Sequence, residues 1–128
     1  MRLLLDTCTF LWWVSDEQKL PRPVLRCLQH EDTEIILSVS SAWEIAIKSK
    51  LGRLELSAPP LVFLHEASEL YRVTMLPIEL EDAVRAGELP LHHKDPFDRL
   101  LIAQAQLRGV AIVTPDEAFG LYRVKTIW

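Results

Sequence analysis

The 128-residue sequence predicts an α/β fold in which parallel strands alternate with helices. Two observations carry that prediction. Four short apolar runs, at residues 3–5, 35–37, 73–76 and 110–113, are bounded by polar residues or proline and show none of the alternation of a half-exposed strand. Stretches of helical character separate them, so strand and helix take turns along the chain.

The first run, Leu3-Leu4-Leu5, stops at Asp6, a residue suited to cap a helix over 9–14. A second helix is expected over 23–28, before the strand at 35–37. Ser41 and Glu44 then fit a capping box opening a helix over 41–51, where Glu44 and Lys48 form an i,i+4 pair and Gly52 follows a basic last turn. A helix over 60–70 leads into the strand at 73–76, which Pro77 ends. After a helix over 79–86, Asp95 reads as the N-cap and Pro96 as the first residue of a helix over 96–108, with Gly109 at its end. The strand at 110–113 follows, and the alternating residues 124–128 predict a last strand at a sheet edge.

Composition fits one compact domain spanning 1–128, with 49% hydrophobic and 25% charged residues. The formal net charge of −4 excludes the broad basic field of a general DNA coater, so any nucleic-acid site must be local. Cys8 and Cys27 lack CxxC spacing and read as reduced, buried thiols of a cytoplasmic protein. No apolar run reaches the roughly 18 residues of a membrane span, so no membrane partner is expected. With four glycines there is neither GxGxxG nor GxxxxGK[ST], which argues against a nucleotide cradle.

Chemistry is expected where parallel strands end. Asp6 follows the first strand and Asp116 the fourth, so the two can meet across a switch point. Each has a plain structural reading as a helix cap, as do Glu44 in its capping box and Asp95 with Asp98 at a helix start. Convergence of such acids would instead create mutual repulsion that a hard divalent cation relieves. Mg²⁺ or Mn²⁺ takes oxygen ligands and polarises a phosphodiester, which points to hydrolysis.

Basic residues stand beside these acids. Lys48, Lys50 and Arg53 follow Glu44, and His92, His93, Lys94 and Arg99 bracket Asp95 and Asp98; Lys48, Lys94 and Arg99 are the candidates for holding a phosphate backbone. Adjacent His92 and His93 lack the spacing of a zinc site and read as a polar loop. Trp12, Trp13 and Trp43 read as packing or dimer contacts rather than base-stacking platforms.

Four segments together resemble the motifs of PIN-domain ribonucleases, in their order and spacing. They are Leu3-Leu4-Leu5-Asp6-Thr7, Ser41-Ala42-Trp43-Glu44-Ile45-Ala46-Ile47-Lys48, His93-Lys94-Asp95-Pro96-Phe97-Asp98-Arg99-Leu100-Leu101-Ile102-Ala103 and Thr114-Pro115-Asp116-Glu117-Ala118-Phe119. The resemblance covers essentially the whole chain and is to the toxin component of VapBC-type toxin-antitoxin modules. It implies a three-layer α/β/α sandwich around a mainly parallel sheet. By position it makes Asp6, Glu44, Asp98 and Asp116 the catalytic, metal-holding acids, with Asp95 an additional acid. Thr114 matches a small hydroxyl residue that supports the site by hydrogen bonding. Cys8 stands where many relatives of this subgroup carry histidine.

The implied activity is Mg²⁺- or Mn²⁺-dependent endoribonuclease action on RNA, restrained by a small antitoxin, in a homodimer. Two other readings use the same elements. A catalytically silent PIN fold would serve as a binding module, and a receiver-type phosphoacceptor would also carry strand-end acids. The receiver needs an aspartate after the third strand, where Met75-Leu76-Pro77 offers none.

Overall fold

The computed structural model describes residues 1–128. Five strands, β1 (Arg2–Leu5), β2 (Glu34–Ser38), β3 (Val73–Leu76), β4 (Ala111–Val113) and β5 (Thr126–Ile127), form one sheet in the order β3-β2-β1-β4-β5. Every neighbouring pair is parallel, so the expected mainly parallel sheet is wholly so. Six helices connect the strands: α1 (Thr7–Ser15), α2 (Arg22–Gln29), α3 (Val39–Lys50), α4 (Pro60–Leu70), α5 (Leu80–Glu88) and α6 (Pro96–Arg108).

The apolar runs at 3–5, 35–37 and 110–113 are strands because both faces of the sheet are covered there, whereas β3 is an edge strand that leaves Thr74 exposed. Leu3 and Leu5 point into a core shared with Phe10, Trp13, Val24, Ile45 and Leu64, from α1 to α4. Leu4 points the other way, with Ile36 and Ile112, into a second core filled by Ala86, Leu101, Ile102, Ala105 and Phe119. Sheet and helices thus stack in three layers. Burying one such leucine side chain contributes roughly 1.5–3 kcal/mol, so β1 is the anchor of both cores.

The chain winds outward from β1 through β2 to β3, then returns with β4 on the other side of β1. Strand order therefore reverses between β1 and β4, and a crevice opens beyond their carboxyl ends. Asp6 and Asp116 follow those two strands.

Several expectations are corrected. Helix α3 starts two residues earlier than position 41, because β2 runs straight into it and the Ser38 hydroxyl accepts the Ser40 N–H at 3.0 Å. Ser41 consequently lies inside the helix and forms no capping box with Glu44. The last strand is shorter than residues 124–128, pairing with β4 only at Thr126 and Ile127, though it does form the edge. Cys8 and Cys27 are free thiols but only partly buried. Trp13 is buried and Trp12 packs on Trp128, whereas Trp43 is 59% exposed and rests edge-on against Phe97.

Helices α5 and α6 are locked together by a buried polar clamp. Asp82 accepts two bonds from the Arg108 guanidinium, at 2.8 and 3.1 Å, one from Gln104 Nε2 at 3.2 Å, and one from the Glu79 N–H at 2.8 Å. Gly109 then ends α6 in the left-handed conformation, φ 64°, which favours glycine.

Candidate functional site

At the mouth of the crevice, Asp6 leaves β1 and caps α1, its Oδ1 accepting the Thr9 N–H at 2.7 Å. Its Oδ2 accepts the Thr114 hydroxyl at 2.6 Å, and the Thr114 oxygen in turn accepts the Asp116 N–H at 3.0 Å. Thr114 therefore ties together the acids after β1 and β4. Asp116 caps a 3₁₀ turn over Glu117–Leu121 through Ala118 N–H, leaving Oδ2 toward the crevice.

Helix α6 brings the next pair. Asp95 caps it by accepting the N–H groups of Phe97 and Asp98, and Asp98, three residues on, turns its carboxylate toward Asp116 across His93. From α3, Glu44 is buried with Oε1 on the Thr7 hydroxyl at 2.6 Å and Oε2 on Lys48 Nζ at 2.8 Å. Ser41 Oγ lies 2.9 Å from the Thr7 hydroxyl and completes that support. Asp6, Glu44, Asp95, Asp98 and Asp116 all line one cavity of about 700 Å³, with Asp16 at its side and only Lys19, Lys48 and Arg53 as cations.

This cavity is poor in compensating charge. Burial, followed by repulsion from Asp95, pushes the Asp98 carboxyl up to about 7, with Glu44 and Asp6 adding to the rise and His93 opposing it. Burial also raises Asp6, and Asp116 adds to it, against the lowering hydrogen bonds from Thr114 and Thr9. Lys48 is held charged above its ordinary value by its hydrogen bond to Glu44. Burial and the Asp6 charge push the Cys8 thiol up to about 11, so it is no ready nucleophile.

Hard oxygen donors facing one another with too few cations are what a divalent ion fits. Asp98 and Asp116 each bring a carboxylate oxygen within 4.8 Å of the other, with the His93 imidazole nitrogen between them. Asp6 reaches the same space through Thr114, and Glu44 closes the α3 side.

Three expectations fare differently. Lys48 stands in the cavity, while Lys94 is exposed on the loop before α6. Arg99 is not a substrate-facing residue: it is 8% exposed and donates to the carbonyls of Ala86, Leu89, Pro90 and His93 at 2.7–3.2 Å. One turn of α6 from Asp95 points it inward, under the loop rather than over the crevice. Thr7, Ser41 and His93 also belong to the site, whereas the sequence gives Thr7 no separate role, offers Ser41 as a helix cap and reads His93 as a polar-loop residue beside the acids. The hydroxyl directly after Asp6 was a signal for the first; a loop histidine two residues before an N-cap gave little.

Comparison with known proteins bears on the family and the fold. The PIN domain family matches residues 3–125. The chain is 30% identical over 130 residues to Ribonuclease VapC22 of Mycobacterium tuberculosis (strain ATCC 25618 / H37Rv), covering 98% of both chains. Among solved structures, VapBC2 from Rickettsia felis bound to a DNA fragment from the promoter superposes with a TM-score of 0.73 at 15% identity, covering 99% of this chain and 98% of that one. DNA-bound VapBC from Salmonella typhimurium superposes with a TM-score of 0.70 at 16% identity, covering 99% and 97%.

Proposed function

The chain belongs to the PIN-domain family, and on that premise we propose that it is a metal-dependent endoribonuclease acting as the toxin of a type II toxin-antitoxin pair. The observation that carries the reading is the meeting of Asp6, Asp98 and Asp116, with Glu44, in one cation-poor cavity at the strand switch point. Those acids would hold Mg²⁺ or Mn²⁺, which supplies polarisation of the scissile phosphodiester and a more acidic water.

The chain's own residues do the positioning. Thr114 orients Asp6, Thr7 orients Glu44, and Asp95 fixes the first turn of α6 so that Asp98 faces inward. Lys48, anchored by Glu44, offers its ammonium to an RNA phosphate, and Lys94 lies exposed nearby in sequence to extend that track. An antitoxin segment carrying Arg or Lys would neutralise the same carboxylates by charge-assisted hydrogen bonds. The exposed apolar residues Val39 and Trp43 support a homodimer through the α3 face, which light scattering of the purified chain would test.

Cleavage of RNA by the purified chain should require Mg²⁺ or Mn²⁺ and should fall by at least about 100-fold in Asp6→Asn and Asp98→Asn, with the fold intact by circular dichroism. Cleavage undiminished in excess chelator would refute the proposal. Divalent binding without any turnover would favour the silent binding module instead.

A further inference from the structure

We propose that His93 is a built-in plug of the carboxylate pocket, occupying with a ring N–H the oxygens that a divalent cation needs, so that metal loading and the His93 contact exclude one another. The inference rests on the reading of the pocket as a metal site and concerns how that site is loaded.

Three observations carry it. First, His93 Nε2 lies 2.9 Å from Asp98 Oδ2 and 3.1 Å from Asp116 Oδ2, bridging the start of α6 and the turn after β4. Those two oxygens belong to the acids with the fewest other donors in the pocket. Second, the ring's other nitrogen is already engaged: Nδ1 accepts the Asp95 N–H at 3.3 Å. A nitrogen that accepts carries no hydrogen, so Nε2 holds the ring proton and has no lone pair to offer a metal. In this arrangement the imidazole is a donor to the carboxylates and not a fellow ligand.

Third, the loop that carries His93 is held by a scaffold outside the pocket. The His93 N–H donates to Tyr122 Oη at 2.8 Å, and Tyr122 donates onward to the Pro90 carbonyl at 2.6 Å. Arg99, from beneath, binds the carbonyls of Leu89, Pro90 and His93. The ring itself stands edge-on to Phe119 at 5.7 Å. Backbone and ring are thus positioned from two sides, which places the N–H over the acids without any contribution from a ligand. A cation that takes Oδ2 of both Asp98 and Asp116 displaces that N–H, and its apparent affinity is reduced by the fraction of molecules in which the plug is in place.

The test is divalent-ion binding by calorimetry on the full chain, with MnCl₂ and with MgCl₂, for wild type, His93→Ala and Tyr122→Phe. Removing the plug should tighten binding of both ions, by roughly 3- to 10-fold for His93→Ala, and loosening its scaffold in Tyr122→Phe should do the same more weakly. Weaker binding in His93→Ala would overturn the proposal and make the imidazole a ligand; unchanged binding would overturn it as well. A readout on wild type needs no variant to fold: on saturation with Mg²⁺ the ¹⁵N signals of the His93 ring should lose their hydrogen-bonded Nε2–H character, and signals that stay unaltered would overturn the plug. Should wild type bind neither ion, the proposed function falls with it; binding in which only the His93 results fail leaves that function standing.

Discussion

Asp82 and Asp98 occupy the same place on neighbouring helices, each the third residue of its first turn, and their surroundings are opposite. Asp82 is 1% exposed and fully provided for: burial alone would raise its carboxyl, but Arg108, the Glu79 N–H and Gln104 outweigh that and hold it below the usual carboxylate range. Asp98, also withdrawn from solvent, meets Asp95, Glu44 and Asp6 instead of a guanidinium and is pushed up to about 7. A helix-start acid is favoured by the helix dipole in either case. The partner across the packing interface decides whether it fastens the fold or waits for a cation.

Substitution should move the stability of the two sites in opposite directions. Arg108→Ala leaves the Asp82 carboxylate buried and unpaired, which should destabilise the protein by about 3 kcal/mol or more. Asp98→Asn removes a charge that the fold resists, and should stabilise the metal-free protein by about 1–2 kcal/mol at pH 8. Urea denaturation of both variants in chelator checks the signs. Equal destabilisation by the two would mean that Asp98 is held as tightly as Asp82 and that the contrast is false.

The two carboxyls also differ in the sign of their proton linkage. Because the folded value of Asp98 lies above its unfolded value of 3.8, its contribution to stability is full below about pH 4 and is lost as pH rises through about 7. Asp82 runs the other way, stabilising above about pH 4 and failing as pH falls through its depressed folded value. Metal-free wild type should accordingly lose about 1 kcal/mol or more between pH 5 and 8, a slope that Asp98→Asn reduces to the part contributed by the raised Asp6 carboxyl while the acid limb stays. A slope undiminished in Asp98→Asn would assign the linkage to another group of the pocket.

Much of this contrast was legible in the sequence, though unevenly. The doubly covered strands could be read because 3–5, 35–37 and 110–113 are apolar at every position, a pattern only a two-sided core demands. Asp6 and Asp116 could be placed because strand ends in a parallel sheet share one edge. Arg99 could not, since its inward turn depends on where the loop of residues 89–93 lies beneath α5, a tertiary fact. The Ser38 cap was hidden by a strand that becomes a helix without a loop, and His93 by a loop whose course is set by Tyr122, far along the chain.

Lys48 carries a far weaker effect on the fold. Lys48 Nζ meets Glu44 at 2.8 Å, yet its side chain is 45% exposed and Glu44 keeps the Thr7 hydroxyl when the lysine is gone. Lys48→Ala should therefore change stability by less than about 1 kcal/mol, as half-solvated ion pairs do. Its consequence belongs to RNA: losing one phosphate contact should weaken binding of single-stranded RNA evenly across sequences and flatten the dependence of log affinity on log salt by roughly 0.7. Arg99, committed to carbonyls inside the protein, has no such slope to lose. Fluorescence anisotropy across a salt series, on Asp98→Asn background to prevent cleavage, distinguishes them. A salt slope unmoved by Lys48→Ala would leave the lysine as Glu44's partner alone and move the phosphate track to the exposed Lys94.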